Sequence, residues 1–194
     1  MRYEKGRKDA TRQRIVDVAA ERFRSDGIAA SGLARIMSDA GLTNGAFYPH
    51  FRSKAELVHE TVVAAIERQS EQLQQIMAVD GIEAAIAAYL SPGHRDNPET
   101  GCILAALLPE LARQPDATRG AYSERLLAMA RQIASQLPAQ AEDPETAALA
   151  IYATLVGTLQ LARAVEGTEL SDRILAAGAK AARALANAGQ AGDA

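Results

Sequence analysis

The chain of 194 residues has one cysteine, no tryptophan and an aromatic content of only 4%. A single cysteine, Cys102, cannot form an intrachain disulfide, which suits a reducing cytoplasm. Residues 1–14 are polar and basic and no apolar segment follows them, so no secretory signal is expected. The hydrophobic content is nevertheless 48% and rich in alanine, which favours closely packed helices. The composition predicts a cytoplasmic, all-α protein.

The motifs of common catalytic and metal sites are also missing. His59 and Glu60 begin an H-E-x-x-H pattern, but Val63 stands where the second zinc-binding histidine is needed. The three histidines share no spacing typical of metal ligands, and no glycine-rich phosphate-binding loop occurs. We therefore expect no catalytic residues, no metal and no cofactor. A helical small-molecule enzyme is kept as an alternative from another class, although the sequence offers it no catalytic constellation.

The charge is distributed unevenly along the chain. Residues 1–54 contain eleven Lys or Arg against six Asp or Glu, whereas the other residues contain ten against eighteen. A basic head on an acidic body is typical of a module that meets phosphates while the rest of the protein stays soluble. A solvated basic face without a nucleic-acid partner is the alternative interpretation.

The apolar periodicity predicts about nine helices and no strands. Long helices are expected at about 9–25, 53–77, 116–137, 144–165 and 171–186. Shorter helices are expected at about 82–90, from 102 onward, and twice between residues 31 and 49. Gly27, Gly81 and Pro109 are expected to end or interrupt helices.

The segment 31–54 contains two short helical patterns around a glycine. Ser31 can cap the first helix, and Gly41 supplies the turn after it. The buried face of this first helix is expected to comprise Leu33, Ile36 and Met37. Thr43 can cap the second helix, which Pro49 must end. Two short helices joined by a glycine turn describe a helix-turn-helix, a fold that inserts its second helix in the major groove of DNA.

Within this segment, GLTNGAFYPHFRSKAELV resembles the DNA-binding signature of TetR-type (TetR/AcrR) transcriptional regulators. The glycine turn, the aromatic pair, the His-Phe and the Ser-Lys all keep the register of that signature. The resemblance implies that base edges are met by Thr43, Asn44 and Gly45. It implies that phosphates are met by Tyr48, His50 and Lys54, with Ser31 and Arg35 as further phosphate or groove contacts. Phe47 and Phe51 are expected to be core residues.

The resemblance also implies three parts of the chain. They are a DNA-binding domain at 1–52, a helical effector-binding and dimerisation domain at 53–186, and a frayed tail at 187–194. In this fold an unknown small-molecule effector is expected between the fourth and seventh helices. The candidate lining residues are Met77, Tyr89, Cys102, Leu107, Leu111, Leu126 and Met129, each of which can instead be ordinary core.

The predicted helix at 144–165 is apolar on nearly all sides. Its apolar stretch, Ala147–Ala162, is shorter than the about 20 residues that a membrane span needs, contains Gln160 and ends at Arg163, so no membrane is expected. A helix that is apolar all round must be covered on every side, and a second subunit can cover the outer face. The expected homodimer interface comprises Ile151, Leu155 and Leu159 of this helix and Ile174, Ala177, Ala181 and Leu185 of the last one.

The resulting functional prediction is a ligand-responsive regulator, a repressor that binds a palindromic operator in double-stranded DNA as a homodimer. The effector would release the operator by tilting the helix that follows the DNA-binding domain. A DNA-binding protein without a physiological effector is the alternative. A thermal-shift screen with hydrophobic and cationic compounds distinguishes the two, since a true ligand stabilises the folded state by mass action.

Overall fold

The computed structural model describes residues 2–139 and 141–188, with side chains from residue 6 onward. The predicted tail residues 189–194 lie outside this range. The described chain is helical and contains no strand, so the predicted all-α class is confirmed. Its α-helices are α1 (Arg2–Asp26), α2 (Leu33–Asp39), α3 (Lys54–Tyr89), α4 (Pro92–Asp96), α5 (Ile103–Leu111), α6 (Asp116–Ala134), α7 (Pro144–Ala164) and α8 (Glu169–Ala186). A single 3₁₀ turn, Asn44–Ala46, stands between α2 and α3.

The glycines end or interrupt helices where the sequence predicts it. Gly27 has a φ of 81° and follows α1, because a left-handed residue cannot continue a right-handed helix. Gly81 interrupts α3 with φ 81° and ψ 175°, so that the predicted helices at 53–77 and 82–90 meet at a sharp break. Pro109, by contrast, lies inside α5, which ends two residues later at Leu111.

The predicted loop at 91–101 contains the short helix α4, which the sequence reading missed. The Ser91 Oγ accepts a hydrogen bond from the backbone N of His94 at 3.1 Å, and Pro92 occupies the first turn. Serine as a cap and proline at the first position are a standard helix start. The helix was missed because five residues are too few for an apolar period to show.

Contacts within the chain divide it into two compact units. The first unit comprises the residues up to Ile66 together with Cys102–Tyr122, and the second comprises Glu67–Gly101 together with the residues from Ser123 onward. The first unit therefore combines α1, α2 and the start of α3 with α5 and the start of α6. This division by compactness differs from the predicted functional boundary at 52/53, which remains a prediction.

The second unit is built on the pair α7 and α8. A Cβ atom at Gly178 of α8 would collide with the side chain of Thr158 on α7, so only glycine allows this close approach. Among the described residues, α7 is the one helix that is long and apolar enough to cross a membrane by length and composition alone. Eight of its residues are buried within this chain, as in the core helix of a globular domain.

Candidate nucleic-acid interface

The turn before α2 differs from the prediction at Ser31. The N-cap residue of α2 is Gly32, and no side chain caps this helix. Ser31 is instead buried, and its hydroxyl lies 2.6 Å from the carbonyl oxygen of Gly27, to which it donates. The expected cap at Ser31 is therefore wrong, because the hydroxyl folds back on the end of α1. The expected DNA contact of Ser31 stays a prediction.

The α2 helix and the turn after it follow the helix-turn-helix pattern. Ile36 and Met37 are fully buried, while Leu33 is only half-buried. Gly41 has a φ of 66°, and the backbone N of Leu42 donates to the carbonyl oxygen of Met37 at 2.8 Å, which closes the turn. Arg35 lies on the exposed side of α2, where a phosphate can reach it.

The predicted second helix is a single 3₁₀ turn. Thr43 is its N-cap residue, but the Thr43 side chain makes no capping hydrogen bond. Pro49 follows within a few residues, so too little chain remains for a full α-helical segment. Thr43, Asn44 and Gly45 are all exposed. A Cβ atom added at Gly45 would meet nothing within 4 Å, so this backbone is open to an approaching surface.

The aromatic residues after this turn face opposite sides, as expected. Phe47 and Phe51 are each 1% exposed, and their rings stack with centroids 5.5 Å apart. Tyr48 is 72% exposed although it touches the edge of Phe47. The two Phe residues hold the segment against the core, and Tyr48 presents its hydroxyl to the outside. The core placement of both Phe residues is confirmed.

Arg12 is a structural residue that the sequence reading counted only as part of the positive charge. Its Nε donates to Glu60 at 2.9 Å, and its guanidinium also contacts Glu56 and the carbonyl oxygen of His50. The guanidinium lies 4.2 Å from the ring centroid of Phe51, a cation–π geometry. The hydrogen bonds that Arg12 donates to the Glu60 carboxylate raise the pKa of Arg12, so it stays charged. Its hydrogen-bond partners are 38 to 48 residues away in sequence. The only local pattern that could have indicated them is the spacing of Glu56 and Glu60, one helical turn apart.

A second arginine, Arg22, is also committed to the protein. Its Nε lies 2.6 Å from the Asp39 carboxylate, and Asp26 lies 3.5 Å from the same guanidinium. The positive charge available to a partner in this unit is therefore smaller than the sequence count. Among residues 6–66, the exposed basic side chains are Arg7, Lys8, Arg14, Arg35 and Arg52.

Lys54 has a role inside the protein. Its Nζ donates to the carbonyl oxygen of Ile28 at 2.5 Å, and the side chain is half-buried. This bond ties the start of α3 to the turn between α1 and α2. An ammonium group has three N–H donors, so two remain for other partners. The phosphate contact stays a prediction beside this observed role.

His50 is half-buried, and its Nδ1 atom is buried without a hydrogen-bond partner. Desolvation lowers the pKa of His50, and the nearby positive charges of Lys8 and Arg12 lower it further. The folded state therefore favours the neutral imidazole. A phosphate is the kind of group that would reverse this preference by pairing with the protonated ring.

The depressed pKa of His50 predicts how stability depends on pH. The unfolded chain binds a proton at His50 at a higher pH than the folded chain does, so the free energy of unfolding should fall as pH drops below about 6.5. Chemical unfolding at about pH 7.5 and about pH 5.5 measures this loss. His50→Gln should lose less stability than the wild type over the same interval. An equal loss in both proteins would assign the effect to other groups.

The candidate effector residues fall in both compact units. Cys102, Leu107 and Leu111 are buried in the first unit, and Met77, Tyr89 and Met129 are buried in the second. Leu126 is half-buried. Cys102 is the N-cap residue of α5, where its Sγ accepts from the backbone N of Ala105 at 3.5 Å. Burial is what either a ligand-lining or a core residue requires, so these assignments remain predictions.

The expected dimer residues separate into two groups. Ile151, Leu155 and Leu159 are each no more than 2% exposed and fill the core of their own chain, so a partner cannot reach them. We define the accessible face of α7 as the stripe of Ala150, Ala153, Thr154, Gly157, Leu161 and Ala164, beside which Gln160 is also partly exposed. On α8, Ala177 and Ala181 are exposed and Ile174 and Leu185 half-buried, so these four remain accessible.

A family model supplies the decisive comparison for the helix-turn-helix. The model for "Bacterial regulatory proteins, tetR family" matches residues 15–61, the segment that holds α2, the 3₁₀ turn and the start of α3. The chain carries a TetR-type DNA-binding domain. The TetR-type assignment from the sequence is thereby confirmed. No group of His, Cys, Asp or Glu among the described residues could hold a metal ion.

Curated relatives match the same TetR-type region. The regulator AcrR of Shigella flexneri is 44% identical over 50 residues, which are 26% of this chain and 23% of AcrR. The regulator TtgR of Pseudomonas putida is 48% identical over 48 residues, which are 25% of this chain and 23% of TtgR. The match thus spans about a quarter of each relative. Both relatives are named as transcriptional regulators.

A solved structure extends the likeness to the whole fold. The TetR-family transcriptional regulator from Cytophaga hutchinsonii superimposes with a TM-score of 0.76, over 91% of this chain and 95% of that protein. The sequence identity is 19%, so the likeness concerns the fold alone. The helices beyond the TetR-type domain therefore have a fold like that of the Cytophaga protein, and its ligands and partners are not transferred.

Proposed function

We propose that this chain is a transcriptional repressor that binds a palindromic DNA operator as a homodimer and releases it on binding a small molecule. The observation that carries the proposal is the exposure of Thr43, Asn44, Gly45 and Tyr48 on one short segment. Buried Phe47 fixes this segment from behind. Exposed donors and acceptors on a rigidly held turn are what reading of base edges requires.

The chemistry of the segment fits the major groove of double-stranded DNA. The amide of Asn44 can form two hydrogen bonds with adenine, and the hydroxyl of Thr43 can donate or accept. The open backbone at Gly45 lets the turn approach the base edges closely. Tyr48 and the exposed cation of Arg35 are suited to phosphates, which set the register without reading sequence.

The accessible face of α7 supports the proposed homodimer. Every residue on this face is small or apolar apart from the hydroxyl of Thr154, and none is charged. Leu161 is 62% exposed, an unusual position for a large apolar side chain. Small residues allow two helices to approach closely, and a two-fold axis places equal surfaces opposite each other. We propose that α7 and α8 of two subunits form a four-helix interface.

The proposed effector belongs to the helices outside the TetR-type domain. Most of the seven candidate lining residues are apolar, so an effector that they bind would have a largely apolar surface. Release of the operator requires that the effector and DNA bind different states of the protein, so that each weakens the binding of the other. We propose that the effector binds and the operator is released in the cytoplasm.

The experiment that tests the proposal begins by selecting duplexes from a random-sequence library with the wild-type protein. Asn44→Ala should lose about 1–3 kcal/mol of affinity for the selected duplex and much less for random DNA, because only the former uses base contacts. Gln75→Ala is the matched control, since it truncates an exposed amide outside the TetR-type match. Equal losses on both duplexes would show that Asn44 does not read bases, and failure to select any duplex would overturn the proposal.

A further inference from the structure

Glu110 lies in α5, far outside the segment that the TetR-type model matches, yet it contacts the turn between α1 and α2. Its Oε1 accepts a hydrogen bond from the backbone N of Ile28 at 3.1 Å, and its Oε2 accepts one from the backbone N of Ala29 at 2.8 Å. One carboxylate therefore holds two consecutive amides. All of these residues belong to the same compact unit.

Gly27, the glycine of this turn, lies directly beside the same carboxylate. A Cβ atom at Gly27 would lie 2.7 Å from the Oε1 of Glu110, which real Cβ contacts do not allow. Gly27 also has a φ of 81°, a conformation that favours glycine. The position thus needs glycine because of its φ, and a side chain there would also displace the carboxylate of Glu110.

The carbonyl groups of the turn are held as well. The Nζ of Lys54 donates to the carbonyl oxygen of Ile28, and the hydroxyl of Ser31 donates to that of Gly27. The turn therefore connects α5, through Glu110, with the start of α3 and the start of α2. These two elements flank the recognition segment 43–50 in sequence.

Packing alone does not fix this turn. Ala29 and Ala30 are exposed, and an open cleft of about 340 Å³ borders the turn, lined in part by Ile28, Lys54 and Glu110. Hydrogen bonds to a charged group are among the stronger contacts available to a surface turn. The two hydrogen bonds that the carboxylate of Glu110 accepts are therefore expected to determine the position of the turn. The position of α2 follows from that of the turn.

We propose that Glu110 is a positioning residue for DNA recognition, which orients the helix-turn-helix by holding the amides of Ile28 and Ala29. The inference rests on the proposed DNA-binding function and adds a residue from outside the TetR-type segment to it. Glu110 does not touch DNA in this proposal. It acts on operator binding through the turn, whereas binding to random DNA depends on charge and needs no such precision.

The charge of Glu110 makes the proposal sharply testable. If Glu110 acted only by its charge, removing the negative charge would raise the affinity for every duplex, because DNA is an anion. If it acts by position, Glu110→Gln should lower the affinity for the selected duplex about 10-fold, the cost of roughly one lost base contact, without lowering that for random DNA. The two roles therefore predict changes of opposite sign on the selected duplex.

Two further variants complete the experiment. Glu110→Asp keeps the charge but withdraws the carboxylate by one methylene, and it should lower affinity for the selected duplex as Glu110→Gln does. Glu124→Gln, at an exposed glutamate of α6, removes one negative charge elsewhere and is the control for net charge. In both Glu110 variants the amide protons of Ile28 and Ala29 should exchange about 10- to 100-fold faster by NMR.

The possible outcomes separate the inference from the function on which it rests. Faster exchange at these amides with a selective loss on the selected duplex supports the inference. Unchanged exchange, equal changes on both duplexes, or general unfolding of both Glu110 variants overturns it while wild-type binding still supports the proposed function. A wild-type protein that binds no duplex overturns the proposed function, and the inference with it.

Discussion

Replacing Gly157 by arginine should convert the proposed homodimer into monomers and abolish operator binding. Gly157 lies on the accessible face of α7, and nothing lies within 4 Å of a Cβ atom placed there. The arginine therefore does not disturb the monomer. In the dimer it would bring a charge without a partner into an apolar interface, at a cost of several kcal/mol in each subunit. Sedimentation should then show monomers at concentrations where the wild type is dimeric.

The loss of DNA binding follows from the symmetry of the site. A palindromic operator is bound by two recognition segments that a two-fold axis holds at the half-site spacing. A monomer gains only one half-site and should bind the selected duplex far more weakly, although no DNA-contacting residue has changed. Ala181→Glu, at an exposed position of α8, should give the same result.

The matched control for this experiment is Ala78→Arg, which adds the same charge at an exposed position of α3. It should remain dimeric and keep its affinity for the selected duplex. A charge at Leu155, one of the interface residues expected from the sequence, would not test the interface. Leu155 is buried, and Leu155→Glu would unfold the monomer itself. If the Gly157→Arg protein stays dimeric, the dimer interface does not include the accessible face of α7.

The α7 helix also shows why sequence periodicity could not define this surface. Apolar residues occupy nearly all of its positions, so the pattern does not distinguish the core face from the outer face. Side-chain size separates them only in part: Ile151 and Leu155 fill the core and Ala153 and Gly157 lie outside, but Leu161 is exposed and Ala148 and Ala162 are buried. On α8, where charged residues mark the solvent side, the predicted face remained accessible.

The helix-turn-helix was predictable in its order but not in its local geometry. The burial of Phe47 and Phe51 and the exposure of Tyr48 follow from the family signature. The single 3₁₀ turn in place of a second helix does not, because such a short segment takes its form from the packing around it. Likewise, the cap of α2 lies at Gly32 and not at Ser31, since the nearby Gly27 carbonyl competes for the hydroxyl.

The contacts that hold the interface in place were the least predictable. Arg12 pairs with Glu56 and Glu60, and Glu110 binds the amides of Ile28 and Ala29, across separations of about 44 to 82 residues. A charge count assigns Arg12 to the DNA-binding surface, whereas the structure uses it inside the protein. Long-range ion pairs and hydrogen bonds of this kind depend on how whole helices pack against each other. Local sequence patterns do not encode that packing.

Gly45→Val should remove operator recognition without affecting the fold. A Cβ atom at Gly45 meets nothing within 4 Å, and the residue does not have a positive φ, so the free protein should tolerate valine. In the proposed complex this backbone faces the base edges, and the isopropyl group of valine would hold the turn away from them. The loss of about one base contact in each half-site corresponds to about 2–6 kcal/mol for the dimer.

Gly120→Val is the matched control for this effect. Gly120 lies in α6 of the same compact unit, is exposed, and likewise has nothing within 4 Å of its Cβ position. Both variants should unfold within a few degrees of the wild type. Only Gly45→Val should lose the selected duplex in a gel-shift or anisotropy titration, while its binding to random DNA falls less, since phosphate contacts remain. If Gly45→Val binds the selected duplex as tightly as Gly120→Val does, the 3₁₀ turn does not enter the groove, and the reading of bases must be assigned to another element of the domain.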